Sequence, residues 1–252
     1  MNILNNNRTP IVTYSIIVLC VLAYIPVALN LLPKPDPFAL YLPENPNFHY
    51  WQYLTSMFMH AGILHLLFNM FGLWMFGAPL EKLWGGAKFL AFYLICGIGA
   101  GLIYNWINEY QFQQMTQEFM KLGLTSADLS RLLNEMLYPT NIPGFTEKMA
   151  GDYYSLYHTE TVGASGAIYG VLVAFAYYFP NSKLALIFFP VPIPAKYFVP
   201  ILIGIDLFSG VTGVSIFGGN VANFAHVSGA LVGLILVLLF GRDYKRDAPN
   251  YN

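Results

Sequence analysis

The sequence predicts an all-α membrane protein: a six-transmembrane-helix bundle with an amphipathic helical insertion between its third and fourth helices. Three observations lead there. Charged residues make up only 10% of the 252 residues, against roughly 25% in soluble domains. Apolar residues make up 56%. The uncharged windows are long enough to cross a bilayer, which takes about 20 apolar residues. So few charges could not cover a soluble surface of this size. With a net charge of -1, the chain also lacks the basic patch of a nucleic-acid binder, and it is too apolar to be disordered. Cys20 and Cys96 sit in apolar runs, where they read as small buried hydrophobes and not as a disulfide scaffold or a CxxC zinc site.

The first span lies within residues 9–33. It is longer than the apolar core of a signal peptide, Arg8 is its only preceding charge, and no clear cleavage site follows, so it reads as retained. The second span occupies about 62–80, after a polar and aromatic stretch from Asn45 to Tyr53. Spans three and four occupy 89–108 and 161–182. Residues 197–241 carry a single charge, Asp206, and are long enough for two spans separated by a Gly-rich hinge around 209–220. The segment from Phe188 to Pro200, with Pro190, Pro192 and Pro194, reads as a rigid turn.

Six spans put both termini on one side. With cytoplasmic termini, the inner segments hold Arg8, Lys82, Lys88, Lys183, Lys196, Arg242, Lys245 and Arg246, eight of the twelve Lys and Arg residues. This is the positive-inside pattern. The expectation is a multi-pass protein of a bacterial cytoplasmic membrane, one membrane domain over residues 1–252, with 109–160 as an extracytoplasmic insertion. In that insertion Phe112, Met115, Phe119 and Leu122 recur at helical spacing, as do Leu129, Leu132, Leu133, Met136 and Leu137. Gly123 separates the two stripes. Thr125 and Asp128 offer a capping-box start to the second. Two amphipathic helices on the outer membrane surface are expected, packed beside the aromatic first outer loop.

Polar side chains inside a bilayer are costly and mark function by default. Ser165 lies near the outer end of span four, His226 about a turn and a half into span six, and His65 and Asn69 in the outer half of span two. His65 and Asn69, four residues apart, share a helix face. His60 cannot share it well and is expected to cap the span entrance or face interfacial water. Gly166 and Gly170, and Gly229 and Gly233, form small-xxx-small steps that let spans four and six approach closely. Tyr169 lies one turn below Ser165, where its ring could support an imidazole. A serine hydroxyl needs a neighbouring base, usually a neutral histidine. Its tetrahedral intermediate needs donors, here the Asn69 amide, the His65 imidazole and the Ser165 N–H. No acid is expected at matching depth, so the reading is a Ser165–His226 dyad. Asp206 stands as a proton relay or a helix-pairing group. The Gly-x-Ser-x-Gly elbow of soluble hydrolases is absent, because residue 167 is Ala. A transporter would also place polar groups at mid-depth, but with an inverted repeat or more charge along a pathway.

At these residues the chain resembles the rhomboid family of intramembrane serine proteases. Gly163-Ala164-Ser165-Gly166 resembles the family's Gly-x-Ser-Gly motif. Ala225-His226 followed by Gly229 and Gly233 resembles its sixth-span histidine and Gly-xxx-Gly. His60, His65 and Asn69 resemble its second-span pattern, Tyr169 the aromatic beneath the histidine, and Glu81-Lys82-Leu83-Trp84-Gly85 its Glu-xxx-Gly. The resemblance implies a six-helix bundle with a short fourth helix below an outward-opening cavity. It implies cleavage of transmembrane or membrane-proximal segments of membrane proteins, without cofactor or metal. A non-proteolytic relative that binds transmembrane helices would lack the serine or the histidine. Two departures stand out. Trp51-Gln52 replaces the Trp-Arg that helps to hold the first outer loop in many members, and segment 109–160 is longer than in compact bacterial members.

Overall fold

The computed structural model describes residues 9–186, 189–214 and 223–240. Arg8, Phe188, Val221, Arg242, Lys245, Arg246 and residues 215–220 of the expected hinge lie outside the described residues. Among the described residues, five helices are long and apolar enough to cross a membrane, and one apolar helix is shorter.

Helix α1 spans Ile11–Ala28. The first N–H groups of a helix have no partner within it. Here a buried carboxylate supplies one: Glu81 accepts from Val12 N at 2.9 Å, Thr13 N at 2.7 Å and Thr13 Oγ1 at 2.7 Å. The negative charge also suits the positive end of the helix dipole. Short α2 (Gln52–Thr55) closes the first loop. Next, α3 (Ile63–Gly72), a π turn (Leu73–Gly77) and α4 (Ala78–Trp84) form one continuous span. The π turn adds one residue to the helical repeat and so rotates the faces of α4 relative to those of α3.

Helix α5 runs from Gly86 to Leu122, 37 residues without a break. At 1.5 Å per residue it is about 55 Å long, against a hydrocarbon core of about 30 Å. This corrects the expectation of a span ending near 108 and a separate surface helix after it. No Gly or Pro lies between Gly101 and Gly123 to stop the helix, so the first apolar stripe is the tail of span three. Gly123, at φ 106°, ends it. Helices α6 (Ser126–Glu135) and α7 (Glu147–His158) fold back on that tail. Leu42 of the first loop, Phe112, Phe119, Leu129, Leu132, Ala150 and Tyr153 form a separate small core. The buried parts of the two stripes are therefore satisfied by each other, while Met136 and Leu137 of the second stay exposed. The capping box of Thr125 and Asp128 is formed as expected. Packing beside the first loop is also found: Asn45 Nδ2 donates to Tyr157 O at 2.8 Å, and Tyr41 Oη to Glu160 Oε1 at 2.8 Å.

Helix α8 (Ser165–Tyr178) has only 14 residues, fewer than the expected span over 161–182. Residues before it are held outside the helix. Thr161 pairs with Leu40, N to O at 2.9 Å in both directions, and Gly163 N donates to Ser56 O at 2.9 Å. The region expected as a proline-rich turn is a β-hairpin, β1 (Lys183–Leu186) with β2 (Phe189–Pro194), paired Leu184 to Ile193. Pro200 belongs to the next helix, α9 (Ala195–Thr212), as its sixth residue, where it removes one i→i−4 hydrogen bond. Helix α10 (Asn223–Phe240) completes the bundle. α8 is the centre, packed against α5 and α10 and surrounded by the main core, which includes Leu73, Tyr93, Ala167 and Val171. Outward faces are apolar: Leu22 and Ile25 on α1, Phe208 and Val211 on α9, Leu238 and Leu239 on α10 are all exposed. Such a continuous apolar surface fits lipid and not water.

Candidate active site

The site is built where α8 begins. Gly163 has φ 130°, a backbone state that a residue with Cβ rarely adopts. A Cβ there would stand 2.8 Å from the His65 ring and 3.6 Å from Ser165 Oγ. The His65 imidazole and the Ser165 hydroxyl thus border the same glycine. Ser165 is the first residue of α8, so its own N–H has no helical acceptor and is free to donate.

α10 reaches this place through glycine. A Cβ on Gly229 would collide with Gly166 O, and one on Gly233 would stand 2.5 Å from Gly170 Cα. The two small-residue steps therefore face one another, backbone against backbone. Ala100 of α5 closes in on Gly166 from another side, 2.8 Å from a Cβ built there. In this frame the His226 ring lies on Tyr169, centroids 4.3 Å apart and planes 14° apart. Tyr169 is one turn below Ser165 on α8, so His226 is delivered next to the serine's helix face. His65 lies within electrostatic reach of His226. Ser165 Oγ makes no hydrogen bond among the described residues. Catalytic hydrogen bonds are often long in substrate-free sites and tighten on binding.

The chain belongs to the rhomboid family. The decisive finding is that the rhomboid-domain family model matches residues 47–243. The rhomboid protease AarA of Providencia stuartii is 28% identical over 196 residues, covering 76% of this chain and 56% of its own length. The rhomboid protease GlpG of Haemophilus influenzae is 25% identical over 226 residues, 89% of this chain and 88% of GlpG. The mitochondrial rhomboid protein 1 of Saccharomyces cerevisiae is 28% identical over 182 residues, 72% of this chain and 39% of the yeast protein. The chain therefore spans little more than half of AarA and less than half of the yeast relative. As a rhomboid-family chain with several apolar spans, it is an integral multi-pass membrane protein.

At this site, two residues stand differently from expectation. His60 is buried, with Nδ1 3.2 Å from Phe58 O and its ring edge-on to His65 at 5.1 Å. It precedes α3, so the chain turn at Ala61 and Gly62, and not a helix face, brings it to His65. Asn69 Nδ2 donates to His65 O at 2.8 Å, one turn back on its own helix; its second amide hydrogen remains for another acceptor. The second correction concerns acid. Asp206, buried on α9, places Oδ2 3.0 Å from His226 Nδ1. An acid does lie at matching depth. Asp206 on α9 and His226 on α10 meet because the two helices pack against each other. The signal was the lone charge in an otherwise uncharged run.

Gln52 answers the missing arginine. It is fully buried; its Nε2 donates to Asn47 O at 2.8 Å and Pro37 O at 3.3 Å, and its Oε1 accepts from His49 N at 3.1 Å. Three points of the first loop are fixed by one neutral amide.

Proposed function

We propose that this protein is an intramembrane serine endopeptidase that cuts transmembrane or membrane-proximal segments of membrane proteins. The observation that carries the reading is the stacked His226 beside the α8 start, in a rhomboid-family chain that retains both serine and histidine. In the acylation step Ser165 Oγ attacks the scissile carbonyl carbon, and His226 Nε2 takes the hydroxyl proton. The oxyanion receives hydrogen bonds from the Ser165 N–H, the Asn69 amide and the His65 imidazole. His226 then gives its proton to the leaving amine, and water, activated by the same base, hydrolyses the acyl-enzyme. No cofactor or metal enters these steps. Gly163, Gly166, Gly229, Gly233 and Tyr169 support them by setting helix approach, and His60 by backing His65. With the Lys and Arg residues distributed as above, both termini are cytoplasmic and the site opens towards the outer face of a bacterial inner membrane, with residues 109–160 as an outer insertion in a single domain. A transporter reading has no support from the family match.

A fluorophosphonate probe on the purified full chain tests this. Ser165→Ala and His226→Ala should each abolish labelling and cleavage of a transmembrane reporter while the protein remains folded. Base and nucleophile act as a unit, so either loss costs nearly as much as both. Labelling that persists in Ser165→Ala would place the nucleophile elsewhere.

A further inference from the structure

The buried acid on α9 has no part in a two-residue mechanism, yet its carboxylate lies within hydrogen-bond distance of His226. Its carboxylate has two neighbours. Oδ2 is 3.0 Å from His226 Nδ1, and the Tyr169 hydroxyl lies beside the same carboxylate. Tyr169 also carries the His226 ring on its face. Asp206, Tyr169 and His226 thus form a closed cluster drawn from α9, α8 and α10. His226 is nearly enclosed, with its side chain 12% exposed.

We infer that Asp206 is a positioning residue that fixes the working tautomer of His226. The inference rests on the protease reading above. A carboxylate can only accept hydrogen bonds. Facing Nδ1, it requires Nδ1 to carry the proton, which leaves the Nε2 lone pair to receive the Ser165 proton. The imidazolium formed in that transfer then stands against a negative partner. Tyr169 holds the plane of the ring, and Asp206 sets its rotation and its proton. A primary amide can turn either its oxygen or its NH2 group to Nδ1. In Asp206→Asn the tautomer is therefore no longer fixed, and the proton can settle on Nε2, where it blocks the base.

The contact makes the histidine tautomer testable. In the full-length protein in detergent, Asp206→Asn should lower the rate of fluorophosphonate labelling at Ser165 by about 100-fold, less than the roughly 10⁴-fold of a soluble triad because the ring stack remains. Nitrogen NMR of the wild-type protein labelled at histidine should find neutral His226 protonated at Nδ1, a measurement that needs no variant to fold. A folded Asp206→Asn should show a larger share of Nε2-protonated His226, a change that a merely structural acid would not produce. Wild-type labelling speed in Asp206→Asn, an unchanged tautomer in that folded variant, or an Nε2-protonated wild-type His226 would each overturn the assignment. The parallel Ser165→Ala control keeps the two readings apart. If it abolishes labelling while Asp206→Asn does not change it, the protease reading stands and the role of Asp206 falls.

Discussion

Asn69 offers one amide hydrogen to its own helix and keeps the other, so in the proposed reaction it is a donor held in place beforehand. Removing one such donor typically costs about 2.7–4 kcal/mol in the transition state, or 10²–10³ in turnover. Asn69→Ala should show that loss in reporter cleavage with membrane insertion intact; unchanged turnover would leave the backbone N–H of Ser165 as the main donor. Gln52 makes a different prediction. Its loss leaves Asn47 O without a donor and His49 N without an acceptor. A fully buried unsatisfied group costs about 1–3 kcal/mol; His49 is exposed and Asn47 half-buried, so Gln52→Ala should lower the unfolding midpoint in detergent by less than two such losses. Fluorophosphonate labelling below that midpoint should persist. Residues of this kind differ in how far the sequence betrays them. Ser165, His226, His65 and Asn69 stand out because polar groups in apolar runs are rare. Asp206 stands out equally, but its partner depends on where two helices end, and boundaries are the weakest part of any pattern reading. Gln52 gives no signal beyond replacing an arginine.

Helices α8 and α10 touch through main chain, so a single side chain at the crossing has nowhere to go. A Cβ at Gly229 already overlaps Gly166 O. Overpacking usually costs about 1–3 kcal/mol when neighbours can shift; here the neighbour is backbone, and Gly229→Val should exceed that range. Activity and thermal stability should fall together, and a variant of native stability and full rate would show that the crossing does not set the site. The start of α6 responds to pH. The Thr125 hydroxyl, and then its backbone N–H, hold the Asp128 carboxyl below its ordinary value. A lowered acid stabilises the fold above its unfolded value, and the benefit is lost as pH falls through the folded value. Amide protection at Thr125, corrected for the intrinsic exchange rate, should therefore fall in acid below the usual carboxylate range, and Asp128→Asn should flatten that response. Capping chemistry of this sort is legible because it is local. The length of α5 is not: hydropathy marks where lipid stops, while a helix stops only where its backbone must. The α7 segment, Glu147–His158, gives little periodic signal because much of its buried surface is aromatic, Tyr153 stacked on Phe112 at 4.6 Å.

For the molecule as a whole, the small second core outside the bundle can be separated from the chemistry. The bonds of Thr161 and Gly163 to the first loop lie beyond residue 155. Replacing residues 111–155 with a Gly/Ser linker should leave Ser165 labelling largely intact, while cleavage of transmembrane reporters changes more than cleavage of a short soluble peptide. If labelling falls along with both cleavage rates in a stably inserted protein, the outer segment is part of the catalytic scaffold. The unbroken α5 gives that segment a mechanical meaning. Gly97 lies against Ala167, and Ala100 against Gly166, so α5 has its fulcrum beside the start of α8, while its tip carries α6 and α7 some 30 Å further along. A rod has no joint at which a push can dissipate. A pull on the second core would reach the start of α8 as a tilt of the whole helix. Spin labels at Leu90 and Met120, both exposed, should give a narrow distance distribution near about 45 Å. A broad one would reveal a joint, and a load on the tip would then stop short of the site.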